Sequence, residues 1–172
     1  MPIHRLNHAV LYVRNVERSA AFYADVLGFR TITDIPGKAA FMLAPGSTND
    51  HDLGLFQIGD GARPSDAGRA TVGLYHLAWE VDTLAELKRL RDVLSASGSL
   101  VGATDHSTTK ALYAKDPDGL EFEVCWIVPA ELLTDDVLSG RERMAPLDLD
   151  AEIARYGADT RGGLGNSVPA AR

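Results

Sequence analysis

Leu6-Asn7-His8-Ala9-Val10-Leu11-Tyr12-Val13 returns later in the chain as Leu74-Tyr75-His76-Leu77-Ala78-Trp79-Glu80-Val81. The shift of 68 positions also carries Phe22 onto Leu90 and Val26 onto Leu94. Each run has strand character and precedes a helical pattern. The second helix is expected over 83–97, where Thr83 and Glu86 form a capping-box pair and Leu84, Leu87, Leu90 and Leu94 make one apolar stripe. The first is expected over 17–27, with Ala20, Phe22, Tyr23, Val26 and Leu27 as its apolar face and Gly28 as its stop.

Short strands should follow each helix, at 29–35, 39–43 and 52–58 in the first half and at 100–103, 110–115 and 121–128 in the second. Pro36-Gly37, Pro45-Gly46 and Asp116-Pro117-Asp118-Gly119 mark turns, and 59–71 reads as a linker. Each half is therefore β-α-β-β-β, at about 3–58 and 73–128. Neither half could cover its sheet alone, so an α+β fold is expected, with two pseudo-symmetric modules forming one curved-sheet cleft. Residues 1–128 form that domain, and 129–172 form a C-terminal extension with short helices at 129–138 and 147–156. Residues 157–172, rich in Gly and poor in large apolar side chains, are expected to pack loosely.

Composition narrows the function. The chain has 172 residues, 45% hydrophobic and 24% charged, with a net charge of −7. An acidic surface repels phosphate backbones, so no nucleic-acid partner is expected. No apolar run reaches the ~20 residues of a membrane helix, and the first residues lack a secretory h-region. A cytoplasmic protein is expected. The single Cys125 excludes an internal disulfide and a Cys-rich zinc site.

The five histidines carry the chemistry. On a strand, His8 shares a face with Leu6, Val10 and Tyr12, and His76 shares one with Leu74, Ala78 and Glu80. A lone strand histidine is usually a hydrogen-bonded core residue. Two at equivalent positions of a repeat point instead into a shared cleft. On the last strand Glu121, Glu123 and Cys125 share a face, and a buried carboxylate needs a counter-charge. Glu123 is read as a metal ligand and Glu121 as a solvated edge-strand residue. Two histidines and one carboxylate form the facial set of non-haem Fe(II) oxygenases, and the same set also suits Zn, Ni or Mn. Under the 68-residue shift Glu123 falls on Leu55, beside Gly54, so the equivalent position offers no second carboxylate. Cys125 reads as a small core residue, and His4 as a solvated one.

With these motifs in place, the chain resembles the vicinal oxygen chelate superfamily, which includes glyoxalase I, bleomycin- and fosfomycin-resistance proteins and type I extradiol dioxygenases. The resemblance covers roughly 3–128. Leu6-Asn7-His8-Ala9-Val10, Tyr75-His76-Leu77-Ala78-Trp79, and Asp116-Pro117-Asp118-Gly119 with Glu123 four residues on are superfamily signals. Two segments are closer to the catechol 2,3-dioxygenases. Asp105-His106-Ser107-Thr108-Thr109-Lys110-Ala111-Leu112-Tyr113 looks like their His…Tyr…Glu segment, and His51-Asp52-Leu53-Gly54-Leu55 like the one holding their acid–base histidine. Pro146-Leu147-Asp148-Leu149-Asp150 looks like their tail. Many extradiol enzymes carry an additional domain for which this chain has no room, so a single-domain form is expected.

The resemblance implies a ring-cleaving dioxygenase acting on a catechol with O2. Fe(II), or Mn in its place, would be held by His8, His76 and Glu123. Three open metal positions suit a substrate that chelates through two adjacent oxygens and leaves one for dioxygen. The substrate must lose protons and a later intermediate must gain one. A histidine titrates in the range that serves both steps, and His51 is that candidate. His106 and Tyr113 are hydrogen-bond donors for a catecholate oxygen. The partners implied are small molecules and further copies of the chain, with no membrane. Two alternatives remain: a glyoxalase- or epimerase-like isomerase or lyase, which usually has a second carboxylate near Gly54 or Leu55, and a drug-sequestering protein without metal.

Overall fold

The structure, a computed structural model, describes Ile3 and residues 5–163. His4 and the expectation for 164–172 lie outside the described residues. The chain divides into two compact units: Met1–Asp66 with Asp116–Leu120, and Ala67–Lys115 with Glu121–Arg172.

The first unit runs β1 (Ala9–Val13), α1 (Val16–Leu27), β2 (Arg30–Ile35), β3 (Ala39–Leu43) and β4 (Leu53–Gln57), with sheet order β1-β4-β3-β2. Only the β1–β4 pair is parallel. Asn15 caps α1 by accepting from Arg18 N, and Gly28 ends it at φ +74°, a conformation that L side chains rarely adopt. The helix buries Val16, Ser19, Tyr23 and Val26, a line at 3–4-residue spacing. Beneath it lie Leu11, Val13, Ala40, Met42, Leu53 and Leu55, all on one sheet face. The alternate residues Val10 and Tyr12 stand exposed on the other face, the face expected to carry His8. The strand begins at Ala9 rather than at Leu6, because the ladder to β4 opens only with Ala9 opposite Leu53. His8 thus stands at the mouth of β1.

The Asp116–Leu120 turn completes this unit. Asp116 is buried, accepts from the backbone of Asp118 and Leu120, and receives the Tyr23 hydroxyl at 3.3 Å. Asp118 takes Arg14 through both its amide and its guanidinium, and pairs with Arg18. The acidic turn is a structural anchor as well as a sequence signal.

The second unit runs β5 (His76–Glu80), α2 (Leu84–Ala96), β6 (Leu100–Asp105), β7 (Thr109–Lys115) and β8 (Glu121–Ile127). The extension adds α3 (Asp135–Ser139), β9 (Ala145–Pro146) and α4 (Leu149–Tyr156), giving a sheet ordered β5-β8-β7-β6-β9. The fold is α+β, with a β-α-β-β-β module in each unit. β5 and β8 pair in parallel, as β1 and β4 do. Helix α2 buries Leu84, Leu87, Leu90 and Leu94, as its spacing requires. Thr83 accepts from Glu86 N at 3.2 Å, whereas the Glu86 carboxylate ion-pairs with Arg89. β6 extends past its expected end because β9 pairs with Thr104 and Asp105. β8 lies between β5 and β7, so Glu121 is not on an edge strand as expected.

Residues 157–163 are tied down rather than loose. Gly162 N donates to Asp82 O, Gly163 N donates to Ile127 O, and Thr160 O accepts from Trp126 Nε1 at 3.1 Å. Trp126 is fully buried, with its ring against Tyr156. Trp126→Ala should cost ~3–5 kcal/mol, lowering Tm by on the order of 10 °C. It should also open the 157–163 segment to protease, which calorimetry and limited proteolysis would read together. No helix among the described residues is long and apolar enough to cross a membrane.

Candidate functional site

The sequence-predicted residues fall into two clusters, one in each unit. In the first, His8 and His51 meet with ring centroids 4.4 Å apart and planes tilted by 40°. Phe41 packs edge-on against His51 at 5.2 Å. His8 Nδ1 lies 2.8 Å from Asn7 Oδ1, and His51 Nδ1 lies 2.8 Å from Asp50 Oδ2. Both partners accept, so each Nδ1–H donates, which in a neutral ring leaves the lone pair on Nε2. A ligating histidine has this form, with its far ring nitrogen tied to an oxygen.

Two residues that the sequence reading did not use hold this cluster. Asp52, buried at the start of β4, accepts from Ala44 N, the Ser47 hydroxyl and Asn49 Nδ2, which fixes the loop carrying His51. Asn49 Nδ2 also donates to Asn7 O at 2.8 Å and so ties that loop to the His8 segment. The available signal was a carboxylate placed directly before the run Leu53-Gly54-Leu55-Phe56, where an acid needs partners.

In the second cluster His76 Nε2 stands 3.2 Å from Glu123 Oε2. Glu123 is nearly buried. His76 Nδ1 is buried with no hydrogen-bond partner. Tyr113 sits directly across the ladder from Glu123, and its hydroxyl is 2.9 Å from His106 Nε2. The Tyr113 and His76 rings meet edge to face at 5.7 Å. Burial, then the Glu123 carboxylate, pushes the Tyr113 hydroxyl up to about 12, so it remains protonated and able to donate. The same two causes raise the Cys125 thiol to about 12. Cys125 is a buried, free thiol. Glu121 turns to Tyr75, and its charge is the leading cause of that hydroxyl's raised pKa. The carboxylate at His76 is thus Glu123 and not Glu121.

The sheet register corrects the position compared with Glu123. Ala78 pairs with Glu123 in the second unit, and Val10 pairs with Gly54 in the first. The counterpart of Glu123 is therefore Gly54, not Leu55. Leu55 points to the other face and is fully buried under α1. A Cβ at Gly54 would meet the Val10 methyls at 3.4 and 3.6 Å. That position offers no carboxylate.

Residues 5–124 match the Glyoxalase/Bleomycin resistance protein/Dioxygenase superfamily. The chain belongs to this superfamily. Among its relatives, the catechol-2,3-dioxygenase of Bacillus subtilis (strain 168) is 31% identical over 122 residues, 69% of this chain and 40% of that protein. A lactoylglutathione lyase of Neisseria meningitidis is 35% identical over 126 residues, 69% of this chain and 88% of the lyase. The chain thus spans only about two-fifths of that dioxygenase relative but most of the lyase. A glyoxylase/bleomycin resistance protein/dioxygenase domain from Frankia sp. EAN1pec superposes with a TM-score of 0.63 at 20% identity, over 75% of this chain and 96% of that one. That last likeness speaks for the fold alone. The superfamily therefore brings dioxygenase and lyase relatives of similar identity, and the choice between them rests on the clusters.

Two donors ~2.1 Å from one ion, at right angles to each other, stand ~3 Å apart. The 3.2 Å between His76 Nε2 and Glu123 Oε2 has that spacing. His8 presents the right nitrogen. Among the described residues no three His, Cys, Asp or Glu side chains gather so that they could hold a metal ion. The His76–Glu123 pair lies within the second unit.

Proposed function

We propose that the chain is an Fe(II)-dependent extradiol dioxygenase that opens a catechol-type ring with O2. His8, His76 and Glu123 supply the iron ligands, and Mn is the alternative ion. The observation that carries the reading is Tyr113: a protonated hydroxyl between His106 and the His76–Glu123 pair, suited to donate to an ionised catechol oxygen. Bound iron would supply the centre to which two adjacent catechol oxygens and O2 are drawn. Around it, Tyr113 and His106 orient the substrate oxygen, and His51 Nε2 takes and returns the proton. Asp50 holds the opposite ring nitrogen of His51 and fixes the tautomer.

The lyase relative supports a second reading, a glutathione-linked isomerase. Gly54 speaks against it, since the family's usual second carboxylate would stand there. The test is anaerobic loading with Fe(II), then exposure to a panel of catechols in air. The expected result is a yellow ring-fission product with iron bound near one per chain. Turnover of a glutathione hemithioacetal with Ni or Zn instead would establish the isomerase, and a chain that binds no metal would be a binding protein.

A further inference from the structure

His106 stands on the turn between β6 and β7, and the structure grips that turn from the sheet face opposite Tyr113. Lys110, on β7, is 1% exposed. Its Nζ lies 2.5 Å from Asp105 Oδ1 and 2.9 Å from Glu152 Oε2 of α4, with the Tyr156 ring 5.8 Å away. The same Asp105 oxygen accepts from Ser107 N at 2.8 Å. One carboxylate therefore clasps the residues on either side of His106. Ser107 itself is held at φ +67°, a left-handed conformation costly for a residue with a Cβ. Its hydroxyl donates to Val137 O at 2.8 Å, and a Cβ at Gly140 would come within 2.5 Å of that hydroxyl. Glu152, Val137 and Gly140 all belong to the C-terminal extension.

Stability alone does not account for this arrangement. Replacing a buried ion pair or triad by apolar residues of similar volume is often neutral or stabilising. A methionine at 110 would fill similar space beside Trp126 and Tyr156. What the charged network adds is a fixed geometry for Asp105, and through it for the turn. We propose that Lys110 is a positioning residue for His106: bridging Asp105 and Glu152, it lets the extension set the turn from which His106 reaches the Tyr113 hydroxyl. This rests on the reading above, in which His106 faces the substrate.

The test is a double-mutant cycle on the iron-loaded full chain. Lys110→Met should lower kcat about 10- to 100-fold, the scale of a misplaced catalytic group, with iron content unchanged. Lys110→Arg should recover most of that loss. In a His106→Ala background Lys110→Met should cost less than about twofold, because the group it positions is gone. An equal loss in both backgrounds would overturn the proposal. Should Lys110→Met fail to fold, Asp105→Asn enters the same cycle with the same two outcomes. If the wild-type chain opens no catechol, the dioxygenase reading fails separately. The positioning role is then read from the His106 ring signals in nuclear magnetic resonance. They should move in Lys110→Met and stay in place in Lys110→Arg; unmoved signals in Lys110→Met would overturn it.

Discussion

A Glu123→Ala chain is expected to leave a desalting column without iron, while a Glu121→Ala chain keeps it. Both carboxylates stand on the same strand and the same face, two residues apart, so the pair controls for charge and for strand disruption. They differ in partner. Glu123 lies 3.2 Å from His76 Nε2, whereas Glu121 answers to Tyr75. Losing a residue that merely supports a ligand already costs 10–100-fold in metal affinity. Losing the ligand itself should therefore exceed ~100-fold. It would also leave the Tyr113 hydroxyl without the carboxylate beside it. Metal analysis after gel filtration reads the result directly, and full iron retention by Glu123→Ala would remove the proposed ligand set.

His51→Phe should lower turnover by ~10²–10⁴-fold while iron stays bound, the usual worth of one positioned proton carrier. Phenylalanine suits the purpose because His51 packs between two rings, His8 at 4.4 Å and Phe41 at 5.2 Å. The replacement keeps that packing and removes only the nitrogens. Tyr113→Phe should cost less, since it deletes one donor beside His106 and no proton carrier. Single-turnover rates on iron-loaded variants would rank the two. Normal ring cleavage by His51→Phe would show that the proton travels elsewhere.

The two histidines were legible because the repeat preserves their place relative to the strand pattern. The helices were legible from Thr83, Gly28 and the leucine spacing. The fixed shift failed further along. The ladder aligns Gly54 with Val10 and Glu123 with Ala78, so the second module has one more residue between its parallel strands than the first. A slip of one residue moves a side chain to the opposite sheet face, which is why Leu55 looked comparable and is not. Asp52 and Lys110 were hidden for another reason. Each is a charge whose burial makes sense only through partners brought in by folding: Ala44, Ser47 and Asn49 for the one, Asp105 and Glu152 for the other. Neither periodicity nor local motif announces such pairs. The ties of residues 157–163 to Trp126, Asp82 and Ile127 escaped notice likewise, since backbone groups made them.

The parallel pairing of β1 with β4 and of β5 with β8 has a consequence for the birth of the chain. Neighbouring antiparallel strands such as β2 and β3, or β6 and β7, can close as soon as their short loops leave the ribosome. β1 cannot: its partner in the sheet among the described residues arrives when Leu53–Gln57 has been made, some 40 residues later. At about 5–20 residues per second that is a wait of several seconds. β5 waits equally for Glu121–Ile127. In each module the antiparallel hairpin can therefore form before the first strand has its partner. Because Glu123 is itself on the late strand, the proposed ligands can gather only after that strand has been made.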